Sequence, residues 1–279
     1  MPQQNTEQNA DVTGSASASE GTAASPPQMA WFHLRLRTLL IIPAALLILA
    51  AVFVPRQMAQ HRALVGLREL KGIVRTEPVS LPGLSTLLGE DYAQQILEIY
   101  LRNPEVTDDD IQILQGLKGL QKLELTGAAI TDRGVATLSD LSDLYILHLS
   151  KTQVGDAGMA ALSPLRNLGI LSLNQTQVTG AGMVHLRSLP ALERLFLNDT
   201  AMTDNGLSAI GEISSLKELT LNGTQVTDAG LHHLESLSNL EILKLEGTSV
   251  SDDAVKTLRQ ALPKCYIEGA ALVEAGPGI

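Results

Sequence analysis

From Ile96 onward, apolar residues return on a fixed schedule of 24 residues with no insertion or deletion. Units beginning at 96, 120, 144, 168, 192, 216 and 240 fill residues 96–263 with seven copies. Within a unit the period changes. Positions one, four and six are apolar, as in Leu120, Leu123 and Leu125, and the alternation at four and six predicts a strand with one buried face. Positions eleven, sixteen, nineteen and twenty-two are apolar as well, as in Val226, Leu231, Leu234 and Leu237, which is helical spacing. Of these 49 slots, 48 hold Leu, Ile, Val or Met and only Ala261 departs, so one packing rule governs every unit.

Polar positions recur on the same schedule. Position nine is Thr152, Thr176, Thr200, Thr224 and Thr248, placed to hydrogen-bond the turn where each strand ends. Position twelve is Thr or Ser in six units and Gly155 in one, at the predicted helix start, where such residues cap free N–H groups. Position thirteen is Asp108, Asp132, Asp156, Asp204, Asp228 and Asp252, interrupted by Gly180. Each Asp is expected to face the partial positive charge of its own helix start. A ladder of cations along the stacked row is the second reading. Position fifteen is Gly134, Gly158, Gly182, Gly206 and Gly230, where close approach of neighbouring backbones is expected, and the outermost units carry Asp110 and Ala254 instead.

The unit Leu216-Lys-Glu-Leu-Thr-Leu-Asn-Gly-Thr-Gln-Val-Thr-Asp-Ala-Gly-Leu231 resembles the leucine-rich repeat pattern L-x-x-L-x-L-x-x-T-x-V-T-D-x-G-L. That resemblance implies an α/β solenoid with a curved parallel sheet inside and short helices outside. No single unit can bury its own leucines, so stacking creates the core. Over residues 31–263 the chain also resembles bacterial membrane-anchored proteins that join a basic Leu-Arg-Thr-Leu-Leu start, here Leu36 to Leu40, to a short helix and then such repeats. This wider resemblance implies a single-pass protein of the bacterial inner membrane.

Upstream, residues 1–30 are polar and small, too poor in apolar side chains to offset ordering, and are read as a disordered tail. Sixteen residues from Leu39 to Val54 are apolar apart from Pro43. The run covers about 24 Å against a bilayer core of about 30 Å, and extension back to Trp31 closes the gap if Arg35 and Arg37 snorkel. Residues 31–54 are therefore expected to form a transmembrane helix in contact with lipid. A cleaved signal peptide competes with that reading. The long preceding tail and the lack of a small-x-small site before Pro55 and Arg56 favour an uncleaved anchor. Arg56, Arg62, Arg68 and Lys71 outnumber Arg35 and Arg37, which leans toward a cytoplasmic repeat domain, but the side stays open. Residues 55–95 are expected to supply a juxtamembrane helix over 56–71, a short strand at Gly72–Val74, a further helix near Leu84, Leu87 and Leu88, and together an N-terminal cap. Residues 264–279 are read as a C-terminal cap and tail.

The net charge of -10 is unevenly spread. Residues 31–76 carry seven bases against Glu69, whereas residues 77–279 carry thirteen bases against 26 acids, so the repeat domain repels phosphate backbones and nucleic acid is excluded as a partner. No phosphate loop, zinc motif or nucleophile elbow is present, which leaves no catalytic, cofactor or metal residue to nominate. The adjacent His232 and His233 are expected to point in different directions, and Cys265 to be a small buried hydrophobe.

Function is therefore sought on the concave sheet face, where positions three, five and seven point outward. The binding face nominated there comprises Tyr100, Lys122, Glu124, Ile146, His148, Ile170, Asn174, Arg194, Phe196, Asn198, Glu218, Asn222 and Lys244, with Phe196 near its centre. The expected protein is a non-enzymatic, membrane-anchored scaffold that binds a protein or peptide. The alternative is an envelope structural or ligand-sensing protein that recognises glycan or peptide outside the cytoplasm.

Overall fold

A computed structural model describes residues 47, 51, 54–78 and 94–269. The chain divides into two units, Met1–Ala50 and Ala51–Ile279, and of the first only Leu47 is described. The expected span over 31–54 thus falls almost wholly outside the described residues, as do the polar tail, the expected helix near Leu84 and residues 270–279. Among the described residues no helix is long and apolar enough to cross a membrane.

The second unit is one nine-stranded sheet whose strands follow chain order. Strand β1, Ile73–Pro78, pairs antiparallel with β2, Gln94–Tyr100. Then β3 (Lys122–Glu124), β4 (Ile146–His148), β5 (Ile170–Ser172), β6 (Arg194–Phe196), β7 (Glu218–Thr220), β8 (Ile242–Lys244) and β9 (Tyr266–Glu268) follow in parallel. Every parallel pair is offset by 24 residues, from Glu98↔Lys122 to Ile242↔Tyr266. Leucines at the fourth position therefore stack directly, and Leu123, Leu147, Leu171, Leu195, Leu219 and Leu243 are all fully buried. The opposite layer consists of short α-helices, such as Asp156–Leu162 and Asp204–Ile210, and 3-10 turns, such as Ala181–Ser188.

Both ends differ from the expectation. The N-terminal strand runs to Pro78 rather than stopping at Val74, and it covers the open edge of β2. A helix over 54–69, α1, closes the core with Ala59, Ala63 and Leu67, and the Gln60 side-chain oxygen accepts the Ile96 N–H at 2.9 Å. At the other end the cap contains an additional strand, β9, with Ile267 buried in register with Leu243.

Polar positions build the turns and joints. Thr at position nine donates its hydroxyl to the carbonyl three residues earlier in all five units, from Thr152 to Leu149 through Thr248 to Leu245, at 2.6–2.7 Å. Position eight, just before it, is left-handed at +55 to +78°, as Gly127, then Lys151, Gln175 and Asp199, then Gly223 and Gly247.

Asp132, Asp156, Asp204 and Asp228 stand in the first turn of their own helices, and their carboxylates also reach forward to hydrogen-bond the next repeat. Asp204 accepts the backbone N–H and hydroxyl of Thr227 at 2.8 and 2.6 Å, Asp108 does the same for Thr131, Asp156 for Thr179 and Asp228 for Ser251. Asp132 accepts from Gly155 N–H at 2.7 Å. The cause is steric and electrostatic together. The neighbouring N–H and hydroxyl converge on one carboxylate, and position fifteen is glycine because a Cβ at Gly230 would lie 2.4 Å from the Asp204 carboxylate. At Gly134, Gly158 and Gly230 the close approach is to the preceding Asp side chain, whereas at Gly182 and Gly206 it is to neighbouring backbone and a methionine side chain. The first unit has no predecessor, and there Asp110 at position fifteen accepts from Thr107 itself at 2.8 and 2.7 Å.

Candidate protein-binding face

Residues at positions three and five leave the sheet on the side opposite the stacked leucines, since alternate strand residues point to opposite faces. Strand pairing arranges them in two rows, one running Glu98, Lys122, Ile146, Ile170, Arg194, Glu218 and Ile242, the other Tyr100, Glu124, His148, Ser172, Phe196, Thr220 and Lys244. The face has three zones.

The N-terminal zone is a dense polar cluster. Glu124 is only 2% exposed, and its carboxylate meets His148 Nδ1 at 3.2 Å, Arg102 at 3.3 Å and the Thr126 hydroxyl. Burial pushes its carboxyl up, but the hydrogen bonds from His148 and Thr126, with the charges and contacts of His148 and Arg102, outweigh burial and hold it at about 2. Tyr100 donates to Glu98 at 2.6 Å, and Lys122 Nζ stands 4.9 Å from the Tyr100 ring centre. Beside this cluster a cleft of about 310 Å³ is lined by Leu70, Lys71, Ile73, Tyr100, Arg102 and Asn103.

A folded-state carboxyl lowered from 4.5 to about 2 stabilises the fold fully above pH 4.5, and the contribution is lost as pH falls toward 2. Glu124→Gln is expected to cost up to about 3 kcal/mol at neutral pH, with the gap to wild type closing between about pH 4.5 and 2. Urea midpoints measured across that range check it; a gap that does not change with pH would refute the assigned cause.

The middle zone is apolar. Ile146 and Ile170 are half-buried, and Phe196 is half-buried between Ser172 and Thr220, which are themselves buried. Position five is thus not uniformly outward-exposed: Glu124, Ser172 and Thr220 are covered because larger side chains on adjacent strands close over them. Arg194 lies exposed beside this patch, 3.6 Å from Glu218. In the C-terminal zone Lys244 pairs with Glu268 at 2.8 Å.

The three asparagines at position seven form a ladder. The side-chain oxygen of Asn174 accepts Asn198 N–H, that of Asn198 accepts Asn222 N–H, and that of Asn222 accepts Glu246 N–H, at 2.8–2.9 Å. Their oxygens hold successive turns together, and the Asn174 amide nitrogen also donates to the Ser172 hydroxyl at 3.3 Å.

A second strip runs along position two, through Tyr145, Gly169, Glu193 and Lys217. The Tyr145 ring lies over Gly169, where a Cβ would come within 2.2 Å of it. Glu193 bonds Lys217 at 2.8 Å and accepts from Tyr145, and these contacts, the Lys217 bond foremost, lower its carboxyl. The signal available in sequence was a glycine at a strand position otherwise held by larger residues.

Elsewhere, His232 and His233 do not diverge: their ring centres are 3.9 Å apart at 40°, because both stand at the joint where a short α-helix tightens into a 3-10 turn. Cys265 is buried, and burial pushes its thiol up to about 11. Among the described residues no three His, Cys, Asp or Glu side chains converge to hold a metal ion.

The leucine-rich repeat family pattern matches residues 120–139 and 142–163, two consecutive units of the stack. Those two units are leucine-rich repeats. Among solved structures this repeat stack is similar to an internalin C2 from Listeria monocytogenes, with 27% identity over 62% of this chain and 70% of that one and a TM-score of 0.51. An internalin F from the same organism is 21% identical over 57% of this chain and 51% of its own length, with a TM-score of 0.46. No curated protein matches in sequence. The leucine-rich repeat architecture is one that accords with protein–protein interaction.

Proposed function

We propose that this protein is a non-enzymatic scaffold, held at a bacterial inner membrane through residues 31–54, that binds a protein or peptide on the concave face of its repeats. The observation that carries the reading is the patch of Ile146, Ile170 and Phe196 in the middle of the sheet, bordered by charges already paired within the molecule. Apolar centres with polar borders are where binding energy concentrates. Because the border charges are matched across strands, the patch offers contact area without a strong net field, which suits a partner that is itself apolar at its centre. The anchor reading rests on the sixteen-residue apolar run and its basic flanks.

Phe196→Ala is expected to weaken the partner's apparent Kd by about tenfold or more, the loss typical of an interface centre. Co-purification from detergent-solubilised membranes measures it, with Arg166→Ala, an exposed change on another surface, leaving recovery unchanged. Equal recovery of the partner with Phe196→Ala would remove this face from consideration.

A further inference from the structure

We infer that the outward stripe of helix α1 is a seat for anionic lipid headgroups, which fixes how the repeat domain lies on the membrane; the inference rests on the anchor reading above. Helix α1 has two unlike sides. Its inner side is locked into the solenoid by Ala59, Ala63, Leu67 and the bond from Gln60 to Ile96, so the helix cannot turn about its axis. Its outer side presents Val54, Met58, Arg62 and Val65 at i, i+4, i+8 and i+11, one face of a helix. The three apolar members are 44%, 57% and 46% exposed, uncommon for such side chains on a surface with no partner.

Charge identifies the occupant. Residues 54–76 carry Arg56, Arg62, Arg68, Lys71 and Arg75 against the single acid Glu69, in a chain that is otherwise strongly acidic. Arg75 is spent on Glu98, and the Arg56 guanidinium leans back toward Gly119. Arg62 and Arg68 form no ion pair among the described residues, and both are exposed. The apolar run of the sequence ends at Val54, where the stripe begins, so the stripe starts where a membrane core would give way to headgroups. Exposed Arg62 and Arg68 among modest apolar side chains, with Glu69 the one acid on the same helical face, leave a net positive stripe that matches the chemistry of an anionic bilayer surface.

The test uses full-length chain carrying Cys265→Ser with either Val65→Cys or, as the control, Ser142→Cys, labelled with an environment-sensitive fluorophore. Each is reconstituted into vesicles of phosphatidylcholine alone or mixed with phosphatidylglycerol. The expected result is a blue-shifted emission and a several-fold lower quenching by aqueous iodide at residue 65 in the anionic vesicles only. That protection should weaken with added salt and disappear with Arg62→Gln and Arg68→Gln together, while residue 142 stays accessible throughout. Flotation of the same vesicles separates the two readings. If the chain floats but residue 65 is equally quenched in both lipids, the lipid seat is wrong and the anchor stands; if it does not float, both fall. Protection that grows with protein density and ignores lipid charge would assign the stripe to a second copy and overturn the proposal.

Discussion

Leu195→Ala is expected to lower unfolding stability by about 2–5 kcal/mol, the usual cost of emptying a well-packed core position. Leu195 is fully buried on β6, between Leu171 of β5 and Leu219 of β7. The truncation opens a cavity shared by three repeats, and neighbouring strands cannot collapse into it because their 24-residue register fixes their spacing. In a stack where each repeat touches only its neighbours, a weakened joint also divides the array. Equilibrium urea unfolding should therefore show a lower midpoint with a broader or split transition. The exposed change Arg166→Ala should stay within about 0.5 kcal/mol of wild type. A loss below about 1 kcal/mol for Leu195→Ala would contradict the stacked core.

The second large effect belongs to the clasp between repeats. Asp204→Ala removes the acceptor for both the N–H and the hydroxyl of Thr227, in a part-buried joint where orphaned donors cost about 1–3 kcal/mol each. A loss of about 2–4 kcal/mol is expected. Gly230→Ala should also destabilise, because its new Cβ would stand 2.4 Å from the Asp204 carboxylate and drive it off Thr227. The two changes attack one bond, so Asp204→Ala combined with Gly230→Ala should cost clearly less than the sum of the separate losses, by about 0.5–3 kcal/mol. Thermal or urea unfolding of the four proteins measures the cycle. Strict additivity would mean that glycine at position fifteen serves some purpose other than seating the preceding Asp. The chain carries its own variant of this joint: where Gly180 replaces the Asp, it turns left-handed at +109°, and its Cβ position is taken up by Gly206 and Met202.

What the sequence made legible was whatever repeats. Leucines every 24 residues announced the stacked strands, and threonine at position nine announced the turn, because each is a local or nearest-neighbour requirement met in every unit. The direction of the Asp contacts was hidden, since a period tells which residues align in a row but not whether a side chain in that row serves its own unit or the next. The same ambiguity concealed the asparagine ladder, in which Asn174, Asn198 and Asn222 bond forward along the stack. Strand β9 carries little of the repeat signature, because Lys264 and Gly269 occupy the first and sixth positions of an eighth unit and only Ile267 keeps an apolar slot. It forms because β8 would otherwise leave a row of unpaired backbone groups and an open end to the core. On the candidate face, outward direction was legible for Phe196 and Ile170, but burial of Glu124 was not. That depends on Arg102 and His148, neighbours 22 and 24 residues away in sequence, closing over it.

The central claim is that partners dock on the sheet face around Phe196. Site-specific placement of a benzophenone amino acid tests it most directly, at residues 170 and 196 on that face and at residue 166 away from it, followed by irradiation in intact cells. The account predicts the same discrete protein adduct from 170 and 196 and none from 166. Adducts formed only from 166, or alike from all three positions, would contradict it.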